Sequence, residues 1–476
     1  MKRRVLDSTR PLVLTCVLAL GPAALPSCAS APGGGNNGGD PAATGGRGGG
    51  GGGKAGRGGA AGTSDPEGNA SGGAAGQATP GAGGTAAGSG GSNPGGPSGS
   101  GGAGAGDSDA AGASDSGGAP AEIPGPPGKS MYSKLVKLDT TATGANVSGD
   151  VPKYPVAIVL GATTFDFAQA KPKGEDLRFS TMDGAPLPHA IELWDATAKI
   201  AAVWVKVDVK GASTQMIKMS WGDSGASDGS NSAAVFDTKD GFLGVWHLSE
   251  PASTTMGGYK DATGNAADGT GVSLDATSSD QGRVGRATSL LNGKKQYIQI
   301  DGDKNQLFDV YEKMTYSIWA KPKSHTVSYQ CMFSKGETGF RLHFYGEAGW
   351  NGGKNITEMC AEEVGGGDFC PVNHKGVDVA ANKWFLLTGV QDKPKGTYYI
   401  NGVQEATSTD GAAWTSGPMK AVMIGNNASM LTRAFDGVLD EARILGVVKD
   451  ANWIKLDYES QREGQKFLTF GEPQKN

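Results

Sequence analysis

Between Ala29 and Glu122 the chain contains no Val, Ile, Leu, Met, Phe, Trp or Tyr. A stretch of that length has no apolar side chains to bury, so nothing offsets the conformational entropy of ordering it. It is read as disordered, and one domain of 476 residues is excluded. Of the 80 glycines, 39 lie between residues 31 and 130, without the strict Gly-X-Y period of collagen. The stretch is a flexible tether, with a root-mean-square span of roughly 50–60 Å for about 100 residues of Gly-rich coil. Folding is left to the chain from residue 129 on, which is long enough for two domains.

The region before the tether reads as an export leader. Met1–Arg4 is basic, and Pro11–Leu25 is apolar apart from Thr15 and Gly21-Pro22. That run is too short to span a bilayer. It ends in Leu25-Pro26-Ser27-Cys28, which resembles a bacterial lipobox. The resemblance implies a signal peptide over residues 1–27 and a lipid on Cys28, with residues 28–128 as the tether. Pro26 departs from the usual residue at its position. The alternative is a plain secretory signal cleaved after Ala29-Ser30-Ala31. Ala29 after the cysteine favours the outer membrane or cell surface by the enterobacterial sorting rule. The formal net charge is −5, and losing Lys2, Arg3, Arg4, Arg10 and Asp7 with the leader makes it more acidic. No Lys/Arg cluster follows in the folded part, so nucleic acid is not an expected partner.

From Met131 on, short apolar–polar alternations are separated by Gly, Asp and Asn turns, which predicts an all-β architecture of sandwiches. Predicted strands include Tyr154–Leu160, Ala201–Val207, Gln215–Trp221, Tyr297–Ile300, Thr315–Trp319, Tyr398–Ile400 and Ala421–Ile424. Helical periodicity appears only over Lys449–Gln461, where Ala451, Ile454 and Tyr458 fall at i, i+3 and i+7. The polar run Asp223–Ser232 divides two β-sandwich domains, placed at 129–228 and 237–474.

In the first domain, Phe165-Asp166-Phe167, Gly174–Phe179, Ile191–Trp194, Ala202–Val207 and Met219–Gly222 stand in order. Together with the following Phe242–Leu248 they resemble the bacterial domain of unknown function family 2341, which occurs on exported proteins. That family brings no catalytic residue to transfer. Trp194, Trp204 and Trp221 are candidate core residues. Asp176 and Arg178, two apart, are expected to share a strand face and to pair.

In the second domain, Val245–Leu248, Asp261–Asn265, Gly285-Arg286-Ala287, Met314–Pro322, Lys383-Trp384-Phe385, the Tyr399–Gly402 hairpin and Phe435–Ile444 stand in order. Together they resemble a laminin-G-like jelly roll of the concanavalin A-like superfamily. This fold hosts both glycosidases and binders, so fold alone does not name the function. Retaining enzymes of the superfamily need two carboxylates on one strand face. Glu358, Glu362 and Glu363 have the wrong spacing, and Asp436 and Asp440 fall in the family's structural Asp-Glu phrase. The histidines at 189, 247, 325, 343 and 374 show no paired-ligand spacing. The chain is therefore read as no enzyme.

Calcium is the one ion the resemblance implies, with Asp261, Asn265 and Asp440 as oxygen donors. The alternative is that Asp261 and Asn265 cap a turn and Asp440 satisfies backbone donors. Of the five cysteines, Cys360 and Cys370 are expected to pair, leaving Cys331 buried. Trp350 and Trp414, in polar loops, are the candidate ligand-binding aromatics. The reading is a lipid-anchored, non-enzymatic surface protein that binds carbohydrate or a surface protein. The rivals are a glycosidase or polysaccharide lyase, and a structural envelope protein without a ligand.

Overall fold

The computed structural model describes residues 129–300, 302–310, 312–325, 327–337, 339–344, 357–362, 368–370, 379–409 and 420–476. The leader, the lipobox cysteine Cys28, the tether, Trp350 and Trp414 lie outside the described residues, as do Glu363 and His374.

The first lobe has seven strands before the jelly roll begins. They are β1 (Tyr132–Asp139), β2 (Val151–Gly161), β3 (Arg178–Thr181), β4 (Pro186–Leu187), β5 (His189–Asp195), β6 (Ile200–Val209) and β7 (Thr214–Trp221). A four-residue helix α1 (Ser232–Val235) follows. The jelly roll then supplies β8 (Phe242–Trp246), β9 (Gly269–Val272), β10 (Ser279–Gln281), β11 (Arg286–Leu290), β12 (Tyr297–Ile300), β13 (Lys313–Pro322), β14 (Cys331–Ser334) and β15 (Phe340–Phe344). It continues with β16 (Thr357–Glu362), β17 (Asp368–Phe369), β18 (Phe385–Asp392), β19 (Lys395–Ile400), β20 (Val403–Ser408), β21 (Met423–Ile424) and β22 (Gly437–Leu445). Helix α2 (Ala451–Gln461) and two short strands, β23 (Leu468–Phe470) and β24 (Gln474–Lys475), complete the chain.

The first lobe packs a sheet of order β23-β1-β7-β3-β4, with β24 also on β1, against the sheet β2-β6-β5. Alternation builds its core. Val136 and Leu138 of β1, Ile217 and Met219 of β7, and Val203 and Val205 of β6 join one apolar cluster with Trp204 and Trp221. Trp194 is only partly buried at the margin of this cluster. The jelly roll packs two sheets. One has the order β10-β11-β22-β13-β18-β19-β20, with β8 also on β22; the other is β17-β16-β15-β14-β21-β12-β9. Tyr316 and Ile318 of β13, Leu342 of β15, Tyr398 of β19 and Ile424 of β21 meet in the interior.

The sequence division differs from the structure at both ends of the second domain. The C-terminal strands lie on the first lobe: Val136 faces Phe470, and Tyr132 faces Lys475. The jelly roll is thus an insertion between β7 and β23. At its start, Phe236 still packs in the first-lobe cluster, and Lys206 holds Asp240 at 3.1 Å.

Helix α2 begins at Asp450, whose carboxylate accepts from the Trp453 backbone N–H at 2.8 Å. Its predicted stripe also shifts: Ala451 is exposed and Tyr458 half-buried, while Trp453, Ile454, Leu456, Asp457, Ser460 and Gln461 are buried. The helix lies between β2 of the first lobe and the outer face of the jelly roll, so two surfaces cover it.

Candidate functional site

The three residues expected to hold calcium, Asp261, Asn265 and Asp440, each have hydrogen-bond partners of their own. Asp261 is filled by its own turn. Its Oδ1 accepts from the backbone N–H groups of Val245 and Thr263, and its Oδ2 from the Thr263 hydroxyl and the Ala267 N–H. Asn265 turns its amide away and donates to the Leu243 carbonyl at 2.9 Å. Asp440 accepts from the N–H groups of Arg283 and Val284 through Oδ2. Thr263 joins Asp261 to the Asn265 backbone, but no hydrogen bond joins the three side chains among the described residues, and the lone pairs of Asp261 already have four donors.

Asp176 and Arg178 do not pair either. Asp176 precedes β3 in a turn, where strand parity does not apply, and accepts from the N–H groups of Lys171 and Gly222. Arg178 instead donates to the carbonyls of Glu175, Leu177 and Ser227. Cys360 and Cys370 are bonded at 2.00 Å, and Cys331 is a free, buried thiol.

The densest polar cluster lies where the lobes meet, and it originates in one backbone irregularity. Leu439, Ala442 and Ile444 of β22 point into the jelly-roll core. Strict alternation would send Glu441 there too. The register against β13 slips between Ser317 and Trp319, and Glu441 takes a φ of +51°. This bulge turns both Asp440 and Glu441 onto the outer face, beside Arg443. A positive φ at a residue other than Gly is uncommon and stores strain.

Arg443 donates to Asp457 Oδ1 at 2.8 Å and to Glu441 Oε2 at 2.9 Å, and its guanidinium lies 4.7 Å from the Trp204 ring centre. His247 Nδ1 reaches Glu441 Oε1 at 2.9 Å and lies 3.6 Å from Glu192 Oε2. Glu192 accepts from the Trp204 indole N–H at 2.7 Å and from the Ser249 hydroxyl. Tyr154 closes the cluster against Asp457 and Ser460. Gly285, at φ +63°, allows Glu192 to approach: a Cβ there would stand 2.3 Å from Glu192 Oε1.

The charges balance by proton affinity. Burial, with the neighbouring Glu441 and Asp440 charges, pushes the Glu192 carboxyl well above the usual range. Burial, with Glu441, does the same to Asp440, whose Oδ1 has no hydrogen-bond partner among the described residues. Burial also raises Glu441, but His247 and Arg443 overcome it and hold that group low. Burial alone would lower His247, but Glu441 and Glu192 outweigh it and raise the imidazolium to about 9. Burial raises Asp457 too, against the pull of Arg443. His247 and Arg443 therefore face Glu441 as the carboxylate held low, with Asp457 on Arg443 held above the usual range. The donor atoms of Glu192, His247 and Glu441 lie within 4.8 Å of one another, a spacing that would suit a metal. Arg443 already supplies positive charge at that spot, and a divalent ion would have to compete with it.

The seam continues into a surface cleft of 310 Å³ lined by Arg283, Trp319, Trp384, Tyr458, Arg462 and their neighbours. Trp319 is its floor. The Trp319 indole N–H donates to Gln461 at 2.9 Å, and Gln461 in turn donates to Asp457 at 2.7 Å. Tyr458 stacks on Trp319 at 5.7 Å, and the Arg283 guanidinium lies 5.7 Å from the same ring. Trp384 is half-buried on the cleft wall. A larger hollow of 620 Å³ in the first lobe lies beside Lys134 and Trp221, but its Phe165, Phe167 and Trp221 rings are buried.

Glu192, His247, Glu441 and Arg443 were not expected from the sequence to form one group. The signal was available: each is a charged residue inside an apolar strand phrase, as in Ile191-Glu192-Leu193 and Trp246-His247-Leu248.

Comparison with known proteins gives two family profiles. Domain of unknown function 2341 matches residues 173–249, and the concanavalin A-like lectin/glucanases superfamily matches residues 292–455. No curated protein matches. Among solved structures, the binding domain of Paraclostridial Mosquitocidal Protein 1 is 13% identical, with a TM-score of 0.36, over 47% of this chain and 52% of that one. Domain 4 of AbnA, a GH43 extracellular arabinanase from Geobacillus stearothermophilus, is 17% identical, with a TM-score of 0.35, over 47% of this chain and 98% of that one. The receptor binding domain of botulinum neurotoxin mosaic serotype C/D is 15% identical, with a TM-score of 0.35, over 47% and 51%. The match spans about half the length of the two toxin domains. The chain carries, in order, a domain of unknown function 2341 and a domain of the concanavalin A-like lectin/glucanases superfamily.

Proposed function

We propose that this chain is a non-enzymatic surface protein, anchored through a lipid on Cys28, whose jelly roll binds carbohydrate in the Trp384–Tyr458 cleft. The observation that carries the reading is the composition of that cleft. Two half-buried aromatic rings, Tyr458 with one face on Trp319 and Trp384 with the Lys321 ammonium 5.3 Å from its ring centre, supply apolar surface for the C–H side of a sugar ring, while Arg283, Arg462, Glu463 and Asn382 stand around them with donors and acceptors for hydroxyl groups. Trp319, fixed through Gln461, keeps the floor rigid, which limits the ordering cost of binding.

Three of the five carboxylates weighed as catalytic candidates support binding over hydrolysis; the Glu362 side chain and Glu363 lie outside the described residues. Glu358 and Asp440 are 2% and 0% exposed, and Asp436 is buried with the Ser324 hydroxyl on it. A glycoside hydrolase needs its acid and base open to substrate.

The test is a glycan-array screen of the protein, followed by titration of any hit against Trp384→Ala and Tyr458→Ala. Each variant is expected to weaken binding by about 1–2 kcal/mol, some five- to thirtyfold, for one lost stacking face. An array without hits, or a hit that neither variant weakens, refutes the assignment.

A further inference from the structure

A second cluster of chemistry-bearing groups lies on the opposite sheet of the jelly roll, away from the cleft. In the β15–β16 ladder His343 stands directly opposite Glu358, and Arg341 opposite Cys360. Glu358 and Cys360, two apart on β16, share the face that His343 occupies on β15. That face is the outer one, because Leu342 and Met359 between them point into the core. His343 Nε2 is 3.0 Å from Glu358 Oε1 and 3.2 Å from Cys360 Sγ. The three donor atoms lie within 4.8 Å of one another, and a fourth, Cys370 Sγ, is bonded to Cys360. His343 and Glu358 are each 2% exposed, and His343 Nδ1 has no hydrogen-bond partner among the described residues.

We infer that the Cys360–Cys370 disulfide seals a latent site for a thiophilic divalent cation of the zinc class, and that reduction opens it. A thiol or phosphine reductant converts the bridge to two thiols and is itself oxidised, to a disulfide or a phosphine oxide. Binding the cation then releases the two thiol protons and leaves two thiolates, one imidazole and one carboxylate as ligands. Such a set matches the four-coordinate preference of zinc. Tetrahedral zinc sites hold their donor atoms about 3.3–3.8 Å apart. The imidazole already stands 3.0 Å from the carboxylate and 3.2 Å from the Cys360 sulfur, close to that spacing, whereas the bonded sulfur–sulfur pair must separate. The nearby guanidinium groups of Arg433 and Arg341 pair with Glu337, at 2.6 Å and 3.7 Å, which limits their opposition to a bound cation. While oxidised, the bridge removes both thiolates and the site has no affinity.

The experiment uses the whole protein and the metal alone. Oxidised protein and protein reduced anaerobically with a phosphine are titrated with Co²⁺. The expected result is one Co²⁺ per reduced chain, with a sulfur-to-cobalt charge-transfer band and tetrahedral d–d absorption, displaced by Zn²⁺. Oxidised protein shows neither. His343→Ala and Glu358→Gln weaken the reduced protein's binding by at least roughly tenfold, whereas Cys331→Ser leaves it unchanged. Near-UV circular dichroism follows folding in parallel, and the isosteric Glu358→Gln guards against a misfolded alanine variant. No cobalt uptake on reduction, uptake indifferent to both His343 and Glu358, uptake that depends on Cys331, or a reduced fold that collapses without rescue by metal would each overturn the inference.

Discussion

Replacing Arg443 by Met removes one of the two cations from the seam while keeping an unbranched apolar stem in its place. Arg443 is 1% exposed and holds Asp457 at 2.8 Å and Glu441 at 2.9 Å. The substitution leaves two buried carboxylates with only His247 as a counter-charge. Taking one partner from a buried ion pair costs about 3–5 kcal/mol, because the surviving charge stays desolvated. That is a large fraction of a typical total stability of about 5–15 kcal/mol. The cost should depend on pH. Burial already holds Asp457 above the usual carboxylate range with Arg443 beside it; without Arg443, Asp457 rises further and Glu441 rises with less opposition to its burial, so the folded variant gains protons as pH falls. Its deficit is therefore largest near neutrality and shrinks toward pH 5. Denaturant midpoints and slopes for both proteins at pH 7.5 and pH 5 measure this. A loss under about 1 kcal/mol, or an equal loss at both pH values, would refute the charge balance drawn for the seam. A cycle with Glu441→Gln should return a favourable coupling between the two residues.

Other expectations follow from the same geometry. His247, raised to about 9 against an unfolded value of about 6.5, stabilises the fold fully below pH 6.5, and this contribution is lost as pH rises through 9. His247→Gln should flatten the fall in denaturation midpoint between pH 6.5 and 9.5; an unchanged slope excludes this residue as its source. Peptide mapping without reductant should recover Cys360 linked to Cys370, with Cys331 alkylated only after unfolding, and closing that loop of about ten residues contributes about 2–3 kcal/mol in the chain-entropy model. Cys28→Ser should move the protein into the aqueous phase of a detergent partition; retention with the membrane fraction argues against the anchor.

Local pattern made most of the strands legible, because period-two alternation is a property of a few adjacent residues. Tyr154–Leu160 lies within β2, Ala201–Val207 within β6 and Gln215–Trp221 within β7. The phrases around Val245 and Arg443, far apart in sequence, are neighbours in the structure: Arg443 faces Val245 on β8. The return of Leu468–Phe470 to β1 was not legible. Three residues carry too little pattern, and what captures them is the open edge of a strand more than 300 residues earlier in the chain. The bulge at Glu441 was equally hidden, since nothing in the residue type announces a φ of +51°. With parity broken there, the side of the sheet taken by Glu441 could not be counted from its neighbours. The seam inherits that obscurity, since its members come from β2, β5, β6, β22, α2 and the segment just after β8, and only the folded arrangement brings them together.

The C-terminal strands alter how the body would carry a pull. If the lipid anchor holds one end and a bound ligand the other, tension enters at residue 129, directly before β1. Strand β1 is flanked by β7 along its full length on one side and by β23 and β24 on the other. It is an interior strand gripped by ladders on both edges, and a load along its axis must shear these ladders together instead of unzipping them bond by bond. Asn476 adds a further clasp: its N–H donates to the Met131 carbonyl at 2.9 Å, and its side chain accepts from the Ser133 hydroxyl at 2.8 Å. Residues 468–476 thus act as a strain relief for the first residues of the folded body.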